Sequence, residues 1–148
     1  MINDKIMFRG KREDTKEWVE GCYLHTPETI LSIARNIHYI VDEKGNYYMV
    51  YPYTVSQYTG LEDITGKKIF EGDIVRFRHG GTFHEDGIWF RNYQVEFVNT
   101  FATYGIRLRN RSIHFPFKQS TACMYNTVVI GNIYDNPELL EEGAKADA

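Results

Sequence analysis

Between Thr59 and Tyr134 the chain alternates short runs of β-branched and aromatic residues with turns built on glycine, aspartate and asparagine. Gly60, Asp63, Gly66 and Gly72 punctuate the stretch from Leu61 to Asp73, and Ile74-Val75-Arg76-Phe77-Arg78 follows as a strand. Further strands are predicted over 88–98, 100–109, 112–117 and 126–134, separated by polar loops. Glycine supplies the positive φ of tight turns, and Asx side chains hydrogen-bond the local backbone. A succession of short strands of this kind points to a small closed barrel, because closure removes exposed sheet edges.

Composition agrees. Of 148 residues, 22 are aromatic; Ile and Val total 23, whereas Leu and Ala total 12. Branched and aromatic side chains suit a pleated, half-buried surface, and Leu and Ala favour helices. In the N-terminal part, strands are predicted over 5–10 and 17–25, with Trp18, Cys22 and Leu24 at even spacing and a charged turn at 11–15 between them. His38-Tyr39-Ile40-Val41 and Tyr47-Tyr48-Met49-Val50 flank a Gly45-containing loop and read as a hairpin. Pro52 marks 54–58 as an edge segment. Residues 26–37 admit two readings. Thr26-Pro27-Glu28 has the form of a helix start, with Ile30, Ile33, Ala34 and Ile37 at helical spacing, but the isoleucines also suit an irregular strand. A short C-terminal helix is expected from Asn136 as N-cap through Pro137 and Glu138 to a stop at Gly143. The expected fold is therefore mostly β: a β-rich (α+β) N-terminal part over residues 1–71, then a small barrel with the helix over 72–148.

A net charge of −3 and a pI near 5.9 give no global attraction to nucleic acid or to an anionic membrane. No apolar run approaches a membrane span, and Met1 to Asp14 lacks the apolar stretch of a secretory signal, so no membrane association and a cytoplasmic location are expected. Cys22 and Cys123 form no CxxC and are expected to fill core space as free thiols. His79 and His84, with Glu85, Asp86, His114 and Cys123, match no zinc spacing, and solvated loop residues are the simpler reading. Nucleophile elbow, HExxH, phosphate loop and dinucleotide fingerprint are all missing. Glu71 and Asp73 on a turn are expected to cap backbone rather than act as an acid–base pair. No catalytic residue, metal site or cofactor is therefore predicted, and the chain is expected not to be an enzyme.

Charge is unevenly placed. Over residues 72–118 seven cations face four anions, leaving +3, while 119–148 carry −4. Six of the seven cations are arginines, suited to bidentate phosphate contact and to stacking. Arg107, Arg109 and Arg111 alternate along one strand face; Arg76 and Arg78 do so on another, with Trp89, Phe90, Tyr93, Phe115 and Phe117 nearby. Small β-barrels bind single strands with a basic groove and aromatic platforms. These five arginines are the candidate nucleic-acid contacts; the competing reading is a solvated outer face.

Three blocks carry a resemblance: Gln57-Tyr58-Thr59-Gly60-Leu61-Glu62-Asp63, Gly66-Lys67-Lys68-Ile69-Phe70-Glu71-Gly72-Asp73-Ile74-Val75, and Ile130-Gly131-Asn132-Ile133-Tyr134-Asp135-Asn136-Pro137-Glu138-Leu139-Leu140. In order and approximate spacing they resemble the YopX family of phage and prophage proteins. The resemblance implies a phage- or prophage-encoded, mostly β protein whose C-terminal part is an SH3-like barrel, and it implies no activity. The blocks also read as fold determinants: Gly72 at a turn, Asp73 accepting local backbone hydrogen bonds, Asn132 as a buried amide and Gly131 at a bulge. The resulting expectation is a non-enzymatic phage or prophage accessory protein of a bacterial host, acting through a protein partner or by forming a homo-oligomer. Nucleic-acid binding through the arginines is the alternative.

Overall fold

The structure, a computed structural model, describes residues 6–26, 36–80, 87–107 and 114–141. The helix-or-strand question over 26–37 falls mostly outside them. The chain divides into two compact units, Met1–Tyr58 and Thr59–Ala148. It is mostly β, with one α-helix and short 3-10 turns among the described residues.

The first unit contains β1 (Phe8–Lys11), β2 (Trp18–Thr26), β3 (Ile37–Val41), β4 (Tyr47–Met49) and the start of β5 (Ser56–Glu62). The strands lie in the order β4-β3-β2-β1-β5. The predicted hairpin forms as β3 and β4, antiparallel with Val41 opposite Tyr47. Asp42 closes its loop by accepting from the Lys44 and Asn46 amides, both at 2.9 Å. Beyond β4 the chain folds back onto the end of β1, where Val50 bridges Arg12. Ile40 and Val50 are buried on one face of this sheet. Arg9, on the other face, stacks 4.7 Å from the centre of the Trp18 ring and donates from Nε to Ser56 Oγ at 3.2 Å. The guanidinium is thus buried against a π face and a hydroxyl rather than left bare.

In the second unit β5 continues beside β6 (Lys68–Phe70), and a five-stranded antiparallel sheet follows in the order β10-β9-β8-β7-β11. Its strands are β7 (Asp73–His79), β8 (Trp89–Val98), β9 (Thr103–Arg107), β10 (His114–Pro116) and β11 (Val128–Asn132), with α1 (Gln119–Met124) between the last two. The core comprises Ile69, Val75, Phe77, Tyr93, Val95, Ile106, Phe117, Ala122 and Val129, with Leu61 and Tyr125 packed against it. Ile69 of β6 shares that core, which is why residues 59–71 belong with the second unit rather than the first. Burial of side chains this large contributes roughly 1.5–3 kcal/mol apiece.

The closed barrel expected here is not formed. β10 and β11 are the two edges of an open sheet, and no ladder joins them among the described residues. The chain between them, read above as loop, is α1, and its Ala122 sits in the core beside Phe117. A helix laid on the sheet buries the apolar face without strand closure. The C-terminal helix is a single 3-10 turn, Pro137–Leu140, and Asn136 makes no side-chain cap. Asn136 Oδ1 instead accepts from the Asn132 amide at 3.4 Å.

The three resemblance-bearing blocks meet in this unit. Asp63, only 5% exposed, accepts from the Thr65 amide and hydroxyl and the Lys67 amide through Oδ1, and from the Val129 amide through Oδ2 at 3.0 Å. Gly72, at φ +84°, gives its carbonyl to the Ile133 amide at 2.9 Å, and its bare Cα packs by Tyr134. Asn132 is buried and accepts from the Tyr134 and Asp135 amides, as expected of an amide satisfying loop backbone. The ladder between β7 and β11 shifts register between Val129 and Gly131, the expected bulge. Asp73, 1% exposed, accepts from the Phe70 amide at 2.8 Å, so it does cap backbone.

Two outcomes follow. A Cβ at residue 131 would lie 2.5 Å from Asn136 Oδ1 and 2.9 Å from Leu139 Cδ1, so Gly131→Ala is expected to cost about 1–3 kcal/mol in urea melts. Burial disfavours ionised Asp63, but its bonds from Thr65, Val129 and Lys67 outweigh that and lower its pKa. The folded state then holds the proton less tightly than the unfolded chain. The carboxylate's contribution is complete above the ordinary carboxylate range and is lost as pH falls through the depressed value. Asp63→Asn is expected to cost about 2 kcal/mol at neutral pH and to flatten the acid limb of stability against pH; an unchanged acid limb refutes the assignment.

Candidate functional site

Strand alternation sorts the candidate arginines. Val75 and Phe77 point into the core, so Arg76 and Arg78 project from the opposite face of β7. Ile106 is likewise a core residue, and Arg107 projects away from it on β9. These three therefore share the outer face of one sheet; Arg109 and Arg111 lie outside the described residues. Two are already engaged. Arg76 Nε donates to Asn92 Oδ1 at 3.0 Å, and Asn92 in turn donates to the Leu139 carbonyl at 2.7 Å. Arg107 pairs with Glu96 at 3.6 Å. Arg78 is exposed.

The aromatic residues lie mostly on the other face. Trp89, Arg91 and Tyr93 sit at alternate positions of β8, with Tyr93 in the core, so all three face inward. Phe117 is also a core residue, and Phe90 alone of the described candidates shares the outer face, opposite Arg78. The sheet separates the basic stripe from its supposed stacking platforms.

What the inner face builds instead is an aromatic cleft of about 410 Å³, lined by Phe77, His79, Tyr93, Ile106, Pro116, Thr121 and Tyr125. Phe77 stacks on Tyr125 with ring centres 5.0 Å apart and planes 12° apart. His79 stacks on Trp89, its cross-strand partner, at 4.0 Å and 8°. The Tyr93 hydroxyl and His79 Nε2 share a hydrogen bond of 3.2 Å. Arg91, opposite Phe77 in the ladder, holds its guanidinium 4.9 Å from the centre of the Trp89 ring. Burial, then the positive charge of Arg91, lowers the His79 pKa, favouring neutral imidazole. Burial raises the Tyr93 pKa, partly offset by Arg91. The sequence alone reads His79 as a solvated loop residue, whereas the Trp89-x-Arg91-x-Tyr93 alternation is the signal that places Arg91 with the aromatics.

The first unit offers a second surface. On β2, β3 and β4 the side chains of Cys22, Leu24, Tyr39, Val41, Tyr47 and Met49 share one face, opposite the face that buries Ile40. Leu24 is 43% exposed, Tyr47 63% and Met49 49%. Cys22 and Cys123 are both exposed free thiols, so neither fills core space. Arg12, Glu13, Asp14, Tyr39, Tyr47, Tyr48 and Met49 line a depression of about 610 Å³ in this unit. On the opposite face His25 and His38 stack at 4.4 Å. Among the described residues no group of three or more His, Cys, Asp or Glu could hold a metal ion, and no helix is long and apolar enough to cross a membrane.

The model of the YopX protein family matches residues 7–141. The chain belongs to the YopX family. This YopX protein is also similar to a solved structure, the crystal structure of protein EF1440 from Enterococcus faecalis, with 23% sequence identity and a TM-score of 0.52. That match covers 91% of this chain and 97% of the other, and it supports the fold. No curated protein matches.

In this YopX protein the cleft histidine is a direct probe of the inner face. By NMR, His79 is expected to titrate below the ordinary histidine range, and Arg91→Gln is expected to move it upward by removing one of the two causes of the shift. An unmoved titration would separate the guanidinium from the cleft.

Proposed function

We propose that this YopX protein is a non-enzymatic accessory protein of a phage or prophage, working in the cytoplasm of the bacterial host, and that it acts by self-association through the outer face of β2, β3 and β4. The observation that carries this reading is the contiguous apolar face formed by Leu24, Tyr39, Val41, Tyr47 and Met49 on three paired strands. Surface apolar residues scattered singly need no explanation, whereas a paired, same-face set marks a contact surface. A second copy suits it because the nearby charges carry both signs: Arg12 pairs with Asp14 at 2.7 Å, next to Glu13. A patch bordered by both signs can complement itself across a two-fold axis.

Light scattering coupled to size exclusion is expected to give a dimer at micromolar concentration and a monomer for Leu24→Glu/Met49→Glu. The exposed Cys22 on the same face supplies a second readout, a Cys22-dependent disulfide-linked dimer under mild oxidation that Cys22→Ser abolishes. A strict monomer across micromolar concentrations sinks the self-association reading.

The alternative is nucleic-acid binding on the outer face of the second unit's sheet. Its support is that Arg76, Arg78 and Arg107 project from one face, with Arg78 exposed. Oligonucleotide binding there would weaken steeply with salt and be lost when the three become glutamate; no binding at low salt ends it.

A further inference from the structure

We propose that the aromatic cleft on the inner face of the second unit's sheet binds a small planar heteroaromatic ring carrying an anionic group, the chemistry of a nucleoside monophosphate. This inference is independent of the β2–β4 surface and of the outer arginines, because it concerns other residues on other faces.

Three observations converge. The cleft's size, about 410 Å³, falls within the range of small-molecule sites and suits one or two fused rings with a substituent. Its lining is rich in rings: Tyr93, Tyr125 and His79 line it together with the buried Phe77, and Trp89 stacks on His79 beside it. A flat ring gains offset stacking against such rings that an aliphatic chain does not.

The lining is also not uniformly apolar. Thr121, Tyr93, Tyr125 and the His79 ring supply hydroxyls and a ring nitrogen, of which the Tyr93 hydroxyl and His79 Nε2 already pair with each other. Burying such groups under a purely apolar ligand would cost hydrogen bonds to water, while a heteroaromatic edge supplies donors and acceptors to replace them.

Charge then selects the sign of the ligand. With His79 neutral, none of the lining side chains carries a full charge. Arg91 adjoins them on the same strand face, its cation beside Trp89, His79 and Tyr93. A guanidinium presents a fork of N–H donors matched to phosphate or carboxylate, so the anionic substituent lies toward Arg91 while the ring enters the cleft.

The test uses the full chain in a Trp18→Phe background, leaving Trp89 as the tryptophan reporter. It is titrated with AMP, GMP, CMP and UMP, with inorganic phosphate, with a single-stranded oligothymidylate, and with a short acidic peptide containing tyrosine. The expected result is a saturable change in Trp89 emission with at least one nucleotide, weakened tenfold or more by Arg91→Gln and less by Arg91→Lys, with both variants melting like the parent. A response to the oligonucleotide as well as the mononucleotide assigns the ligand to a strand, and a response to the mononucleotide alone assigns it to the free pool. The proposal is overturned if no nucleotide or oligonucleotide gives a saturable change up to millimolar concentration, or if the change is the same in Arg91→Gln. It is also overturned if inorganic phosphate reproduces the change, or if only the peptide binds, which would make the cleft a protein-docking site.

Discussion

One buried carboxylate organises the second unit. Asp63 closes the turn from Asp63 to Lys67 with one oxygen and holds the start of β11 with the other, so that a local turn and a strand distant in sequence are fixed by the same group. A carboxylate accepts at both oxygens and donates at neither, which suits a site where every neighbour is an N–H or O–H. Once β11 is held there, its bulge at Gly131 lets Asn132 fold the next turn onto itself, and the Gly72 carbonyl receives the Ile133 amide. The blocks that carry the family resemblance are thus donors and acceptors of one another. The buried polar side chains among them, Asp63, Asp73 and Asn132, are engaged in holding backbone.

That explains which parts of the molecule could be read from the sequence. The β3–β4 hairpin, the backbone role of Asp73, the buried amide of Asn132 and the bulge at Gly131 are local properties, set by residues a few positions apart. Parity is not local. Trp18, Cys22 and Leu24 alternate, but so do Val19 and Tyr23, and both sets contain apolar groups. Which set faces inward depends on Ile40 and Val50, which come later in the chain and bury the face opposite Cys22 and Leu24. A choice between two faces shifts every side chain at once. Cys22, expected in the core, is exposed for that reason.

The closed barrel fails to form for a different reason. Counting strands rewards closure, and it overlooks Gln119–Met124, where Ala122 and Phe117 bring a helix onto the sheet. With that face covered, closing β10 against β11 would bury little more apolar surface, and the edges remain. The candidate site suffered from the same separation of scales. Arginines and aromatics that interleave in sequence are split by alternation onto opposite faces, with Arg76 and Arg107 tied to Asn92 and Glu96 on the outside. Among the described arginines of this sheet, only Arg91 shares a face with Trp89 and Tyr93.

The two faces of the sheet consequently have different chemical prospects. On the outer face, Arg76 and Arg107 are already partly compensated by Asn92 and Glu96, which lowers what a phosphate contact there gains, while Arg78 is exposed. On the inner face, burial and the nearby Arg91 lower the His79 pKa, and the rings of Phe77, Tyr125, His79 and Trp89 are held by their mutual stacking before any ligand arrives. A recognition site gains from such preorganisation because the ordering entropy is spent on folding rather than on binding. The same packing that completes the core at Phe77 therefore shapes the cleft: Tyr125, just past α1, packs against both Phe77 and His79, and Trp89 stacks on His79 in turn.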